Sequence, residues 1–146
     1  MKLLILAGLA CLTVDIATAQ VLGTTISSEG NWDLRKSDAG SCVLTPKTPS
    51  RVQVTRGRIS VTGMPKNSVF NYQYRVDDGD ASTPVLPSEA MQAEGRITIE
   101  GDAFNDTVEA HRFRFRILDR WHEAISEDID LAGLSALYKR LEETCK

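Results

Sequence analysis

Residues 51–62 read RVQVTRGRISVT, and their pattern decides the fold. Val52 and Val54 alternate with Arg51, Gln53 and Thr55, and Ile59 and Val61 alternate with Arg58, Ser60 and Thr62. A strand sends successive side chains to opposite faces, so each run has one apolar and one polar side. Arg56-Gly57 separates the runs. A two-residue connection pairs 54 with 59 and 52 with 61, which gathers all four apolar side chains on one face. The segment is expected to be an antiparallel hairpin with one dry side.

The same period recurs on either side. Phe70, Tyr72, Tyr74 and Val76 alternate with Asn71, Gln73 and Arg75, and the run stops at the turn sequence Asp77-Asp78-Gly79. Ile97 and Ile99 alternate with Arg96, Thr98 and Glu100 between Gly95 and Gly101. Shorter strands are expected at Trp32 to Lys36 and Cys42 to Thr45, joined by the Ser37 to Ser41 loop. Clean alternation is typical of antiparallel sheets, and the absence of ten-residue helical patterns between the runs argues against parallel βαβ units. Asp77 to Glu94 is long for a loop. It holds Pro84 and Pro87, and PSEAMQAE (87–94) has the make-up of one short helical turn. A long structured loop is a natural binding surface, and Asp78 and Asp80 are its candidate contact residues.

The C-terminal stretch changes period. Leu131, Leu134, Tyr138, Leu141 and Cys145 recur at alternating spacings of three and four, one face of a helix. Asp130 is the expected N-cap, with Glu127 and Asp128 at the positive end of the helix dipole. The expected fold is therefore mainly β, an antiparallel β-sandwich or barrel-like domain with one C-terminal α-helix.

The N-terminus has the layout of a secretory signal. Lys2 precedes an apolar run, Leu3 to Val14, too short to span a bilayer, and Ala17-Thr18-Ala19 is an A-x-A cleavage site. Lipidation at Cys11 is the alternative, but Gly8 stands where a lipobox wants Leu. Cleavage after Ala19 leaves 127 of the 146 residues (146 − 19), enough for one domain spanning 20–146. That chain is expected to be exported, to the periplasm or the exterior, without stable membrane insertion. The formal net charge of −3 argues against a general nucleic-acid binder. Cys42 and Cys145 remain, and two cysteines in an exported chain are expected to pair. Their loop of about 100 residues gives about 4 to 5 kcal/mol in the chain-entropy model. Breaking the bond is expected to loosen the C-terminal helix first.

Residues 111–118, HRFRFRIL, hold the densest charge pattern. Arg112, Arg114 and Arg116 alternate with Phe113, Phe115 and Ile117. With Asp119-Arg120 as a turn and Trp121 to Glu127 returning, Arg116 opposes Glu123, Arg112 opposes Glu127, and Arg114 faces Ile125 with Trp121 diagonal to it. That register leaves Trp121 and Ile125 on the charged face. A bulge would swap the faces but bring Glu123 inward. The arginines then read either as a solvated, partly paired strand face or as a site for an anion or acidic partner.

Other motifs carry little chemistry. His111 and His122 stand at opposite ends of this hairpin, and neither they nor the cysteines have a second ligand at metal spacing. The acidic stretches Asp77 to Asp80 and Glu100 to Asp106 lack the calcium-loop spacing. Asn105-Asp106-Thr107 is a glycosylation sequon that matters only in a eukaryotic secretory pathway. Nucleophile-elbow, P-loop and dinucleotide motifs are absent, so no cofactor is expected.

Two stretches, DIDLAGLSALYKRLEETC (Asp128 to Cys145) and NWDLRKSDAGSCVL (Asn31 to Leu44), resemble the invasion-associated locus B family. The resemblance lies in Gly133, Leu134 and Leu137 of the closing helix, and in a Trp followed by a Cys on the next strand. It implies a small, β-rich, bacterial periplasmic protein and transfers no site. The first functional expectation is a non-enzymatic binding protein with an unidentified protein partner, using the 77–94 loop and the Arg112, Arg114, Arg116 face. The alternatives are an envelope hydrolase built on scattered carboxylates and a purely structural envelope component. A pocket with two convergent acids would favour the hydrolase, and a flat sheet with a protruding loop the binder.

Overall fold

The computed structural model describes residues 23–145. The expected signal segment, residues 1–19, lies outside them. The chain folds as β1 (Thr24–Glu29), β2 (Trp32–Lys36), β3 (Cys42–Pro46), β4 (Val52–Thr55), β5 (Arg58–Val61), β6 (Val69–Val76), α1 (Glu89–Glu94), β7 (Ile97–Ile99), α2 (Asp102–Val108), β8 (Arg112–Asp119), β9 (Ala124–Asp130) and α3 (Leu134–Thr144). The strands form two antiparallel sheets, β1-β2-β3-β4-β5-β7 and β6-β8-β9, that are not closed into a barrel. Of the two expected architectures the sandwich holds, because inward side chains of both sheets share one core with α3.

The β4–β5 hairpin has the expected register, Val52 opposite Val61 and Val54 opposite Ile59, and all four side chains are buried. Trp32, Leu34 and Leu44 extend the same dry face across β2 and β3. The smaller sheet contributes Phe113, Phe115, Ile117, Tyr72 and Ile129. Leu134, Leu137 and Leu141 of α3 close the core over β1 to β3. Cys42 and Cys145 form the expected disulfide, with Cα atoms 6.0 Å apart.

Several expectations are corrected. Asp130 is not the helix cap. It ends β9, its carboxylate accepts the Ala132 amide and the Asn31 side-chain amide, and Gly133 takes the cap position. Glu127 and Asp128 lie in β9 rather than at a helix end. The acidic stretch 100–106 runs into helix α2, whose Phe104 and Val108 are buried and whose Phe104 packs edge-on against Tyr138. α1 is the helical turn expected near 87–94, capped by the Ser88 hydroxyl accepting from the Met91 amide. β1 went unnoticed in the sequence because TTISSE is an edge strand with no buried face. Phe70 does not share the inward side with Tyr72: a bulge between Val69 and Asn71 turns it outward.

β9 departs most from expectation. Arg112 opposes Asp130, Arg114 opposes Asp128 and Arg116 opposes Ser126, three residues along from the anticipated register. An odd shift exchanges the two faces of a strand. Ile125 and Ile129 therefore sit opposite Ile117 and Phe113, on the core side. The turn is longer than two residues. Asp119 donates its amide to the Glu123 carbonyl, its carboxylate accepts the Trp121 and Glu123 amides, and His122 takes a left-handed φ of 66°. Glu127 hid this register in the sequence, since it stands on the inward side between the two isoleucines. Its carboxylate is satisfied across the sandwich by the Ser50 hydroxyl at 2.7 Å and the Arg51 amide at 3.2 Å.

Candidate functional site

Alternation and register place rows of side chains across the outer face of β6-β8-β9. One row is Arg75, Arg114 and Asp128, and the next is Gln73, Arg116 and Ser126. Between them runs the row Tyr74, Phe115 and Glu127, whose side chains point the other way and which offers its backbone as a floor. The result is a trough of about 420 Å³ crossing the strands. Ala81 lies at its rim, brought there by the segment after β6, which folds back along that strand. In that segment Ser82 donates its amide to the Tyr74 carbonyl and its hydroxyl accepts the Tyr74 amide, while Val85 and Tyr72 exchange both backbone hydrogen bonds.

Charge in the trough is unbalanced. Arg75 and Arg114 are direct cross-strand neighbours, a like-charge pairing that is unfavourable unless an anion answers it. Asp128 is shared, accepting from Arg112 Nε at 2.9 Å and from Arg114 Nε at 3.1 Å. Asp78 approaches Arg75 only to 4.0 Å and is fully solvent-exposed. Arg75 Nε is buried without a hydrogen-bond partner. Arg116 makes no ion pair among the described residues. The expected Arg116–Glu123 and Arg112–Glu127 pairs do not form, because the longer turn carries both glutamates past those positions. The unpaired arginine is thus Arg116, not Arg114.

Arg112, Arg114 and Arg116 therefore share one face, as the sequence suggests. Asp78 stands beside it and Asp80 is exposed on the adjoining turn. Asp77, next to them, is structural, since its carboxylate accepts the His111 and Arg112 amides and clamps β6 to β8. Arg75 is the residue sequence reasoning missed. Its outward position in the β6 alternation was visible, but its place beside Arg114 follows only from pairing β6 with β8.

His111 and His122 lie at opposite ends of the hairpin, and among the described residues no group of three His, Cys, Asp or Glu is placed to hold a metal ion. Clefts at the disulfide, at α1 and beside β3 are each lined by at most one carboxylate. No described helix is long and apolar enough to cross a membrane. No family model, no curated protein and no solved structure matches this chain.

Proposed function

We propose that this is an exported, non-enzymatic binding protein that captures an acidic partner in the arginine trough of the small sheet. The observation that carries the reading is Arg75, Arg114 and Arg116 gathered around one groove with a single outward carboxylate, Asp128, among them. Guanidinium groups are weakly hydrated forks that pair two-pronged with carboxylates, so a trough lined by them favours an acidic ligand. The disulfide and the secretory layout of residues 1–19 support export, as does the resemblance to the invasion-associated locus B family. The hydrolase alternative draws less support, because Glu127 and Asp128, the carboxylates at the trough, point to opposite faces of β9.

The test is capture by the oxidised protein from envelope or host extract, repeated with Arg75→Glu, Arg114→Glu and Arg116→Glu together. All three side chains face outward, so the fold should survive, as far-UV circular dichroism would show. The captured partner should be lost, and wild-type capture should weaken as salt rises. Retention of the same partner by the reversed trough would refute the reading.

A further inference from the structure

The trough does not end at its arginines. The next outward row along the small sheet is Asn71, Leu118 and Ala124. Val85 pairs with Tyr72, so Leu86 runs alongside Asn71, and it is 74% exposed. The β6 bulge turns Phe70 outward at 49% exposure, edge-on to His122 with ring centroids 6.3 Å apart. Trp121 projects from the β8–β9 turn at 68% exposure. Three large exposed apolar side chains from three separate segments thus belong to the end of the small sheet beyond the arginine rows. Isolated exposed apolar residues are ordinary, but three at one end of a sheet that also carries a charged groove point to a contact surface.

The cations of this face are of one kind. Arg75, Arg112, Arg114, Arg116 and Arg120 lie on β6, β8 and the turn, and no Lys occurs in those segments or in β9. Lysine is the usual residue for keeping a sheet surface wet and solitary, whereas arginine and tryptophan are enriched where proteins meet. A second copy of this chain is a poor occupant, since it would bring the same cationic surplus against itself. An anionic bilayer is also a poor fit, because Asp119 and Glu123 flank Trp121 and would be repelled. A protein segment can set an acidic side chain against each arginine and leave the flanking acids in water.

Resting on the binding function above, we propose that the trough and the Phe70–Leu86–Trp121 patch form one two-part docking surface for an acidic, amphipathic segment of another protein. Carboxylates of that segment occupy the trough, and an apolar side chain lies over Leu118 and Trp121. The arginine row at Arg116 and the apolar row at Leu118 are two residues apart along β8, about 7 Å, so both face the same side.

The chain carries its own reporter. It has two tryptophans, Trp32 fully buried and Trp121 exposed, so a binding-induced blue shift in emission reports Trp121. Two synthetic peptides of equal negative charge serve as probes, a Glu-Leu peptide with a block of Glu followed by a block of Leu and Ser, and a Glu-Ser peptide with the same Glu block followed by Ser alone. The Glu-Leu peptide should bind at least tenfold more tightly and shift the emission. Phe70→Ser with Leu86→Ser should abolish that advantage while leaving Glu-Ser binding unchanged. Equal affinity for the two peptides, a blue shift on phosphatidylglycerol vesicles alone, or self-association by sedimentation in place of peptide binding would each overturn the two-part surface. Arg114→Glu with Arg116→Glu should weaken both peptides. If it weakens neither, or neither binds the wild type, the acidic-partner reading falls as well; if only the leucine advantage is missing, the trough stands and the apolar half is refuted.

Discussion

Cys145→Ser opens a covalent link between residues 103 positions apart in sequence. In the chain-entropy model a loop of that length restricts the unfolded chain by about 4.7 kcal/mol at 25 °C. The folded state should lose far less. Leu134, Leu137 and Leu141 are buried, and each contributes roughly 1.5–3 kcal/mol of apolar transfer free energy. The end of α3 is also held without the sulfurs. Arg56 donates to the carbonyls of Glu142 at 3.1 Å and Cys145 at 2.6 Å, and Tyr138 Oη accepts the Gly57 amide at 3.0 Å. The helix should therefore stay docked at 25 °C, contrary to the sequence-based expectation that it loosens first, and the deficit should appear in the unfolded ensemble.

Far-UV circular dichroism of Cys145→Ser, with Cys42 also changed to Ser to avoid dimers, should match the wild type at 25 °C. For a domain of this size, losing 4.7 kcal/mol lowers Tm by about 15 °C. The urea m-value should rise, since the unlinked chain exposes more surface on unfolding. A Tm lowered by less than about 3 °C would refute the reasoning. So would helical signal missing at 25 °C, which would mean that the bond, and not the leucines, holds the helix.

Two further outcomes follow from particular contacts. Gly133 has φ +92° and a Cβ there would stand 2.3 Å from the Glu29 carbonyl, so Gly133→Ala should destabilise by at least about 1–3 kcal/mol in urea titrations, whereas Gly40→Ala, where a Cβ would meet nothing, should cost only the strain of its positive φ. Burial, with a smaller contribution from Tyr74, raises the Tyr72 phenol above its ordinary value of 10.0. Above pH 10.0 the unfolded phenol releases its proton while the folded one retains it, so stability contributed below that pH is lost as pH climbs toward the folded value, and Tyr72→Phe should flatten the alkaline fall in urea midpoint.

Legibility of the fold tracks how cleanly each strand divides into wet and dry sides. Val52, Val54, Ile59 and Val61 were readable to the register, because an apolar period of two and a short turn leave one consistent pairing. Phe113, Phe115 and Ile117 were readable as core for the same reason. β9 was not. Its inward residues are Ile125, Glu127 and Ile129, and the central acid breaks the pattern because its partners, Ser50 and Arg51, are 77 and 76 residues away. Nor does anything local announce that the Asp119 carboxylate accepts two amides and lengthens the turn. The site inherits this division: the arginines of β8 were visible, while Arg75 and the apolar patch depend on strand pairing and a bulge.

By itself the sequence determined a mainly β, antiparallel architecture, a closing amphipathic helix and the Cys42–Cys145 pairing. Those features rest on local periodicity and on the pairing of the two cysteines that lie beyond the N-terminal apolar run. Only the tertiary structure decided which carboxylate answers which arginine. That choice depends on a three-residue register shift, and the shift is set by burying two isoleucines and by satisfying Glu127 from the opposite sheet. HRFRFRIL could state that three cations share a face. Three-dimensional pairing added Arg75, left Arg116 unanswered, and set Phe70, Leu86 and Trp121 beside them.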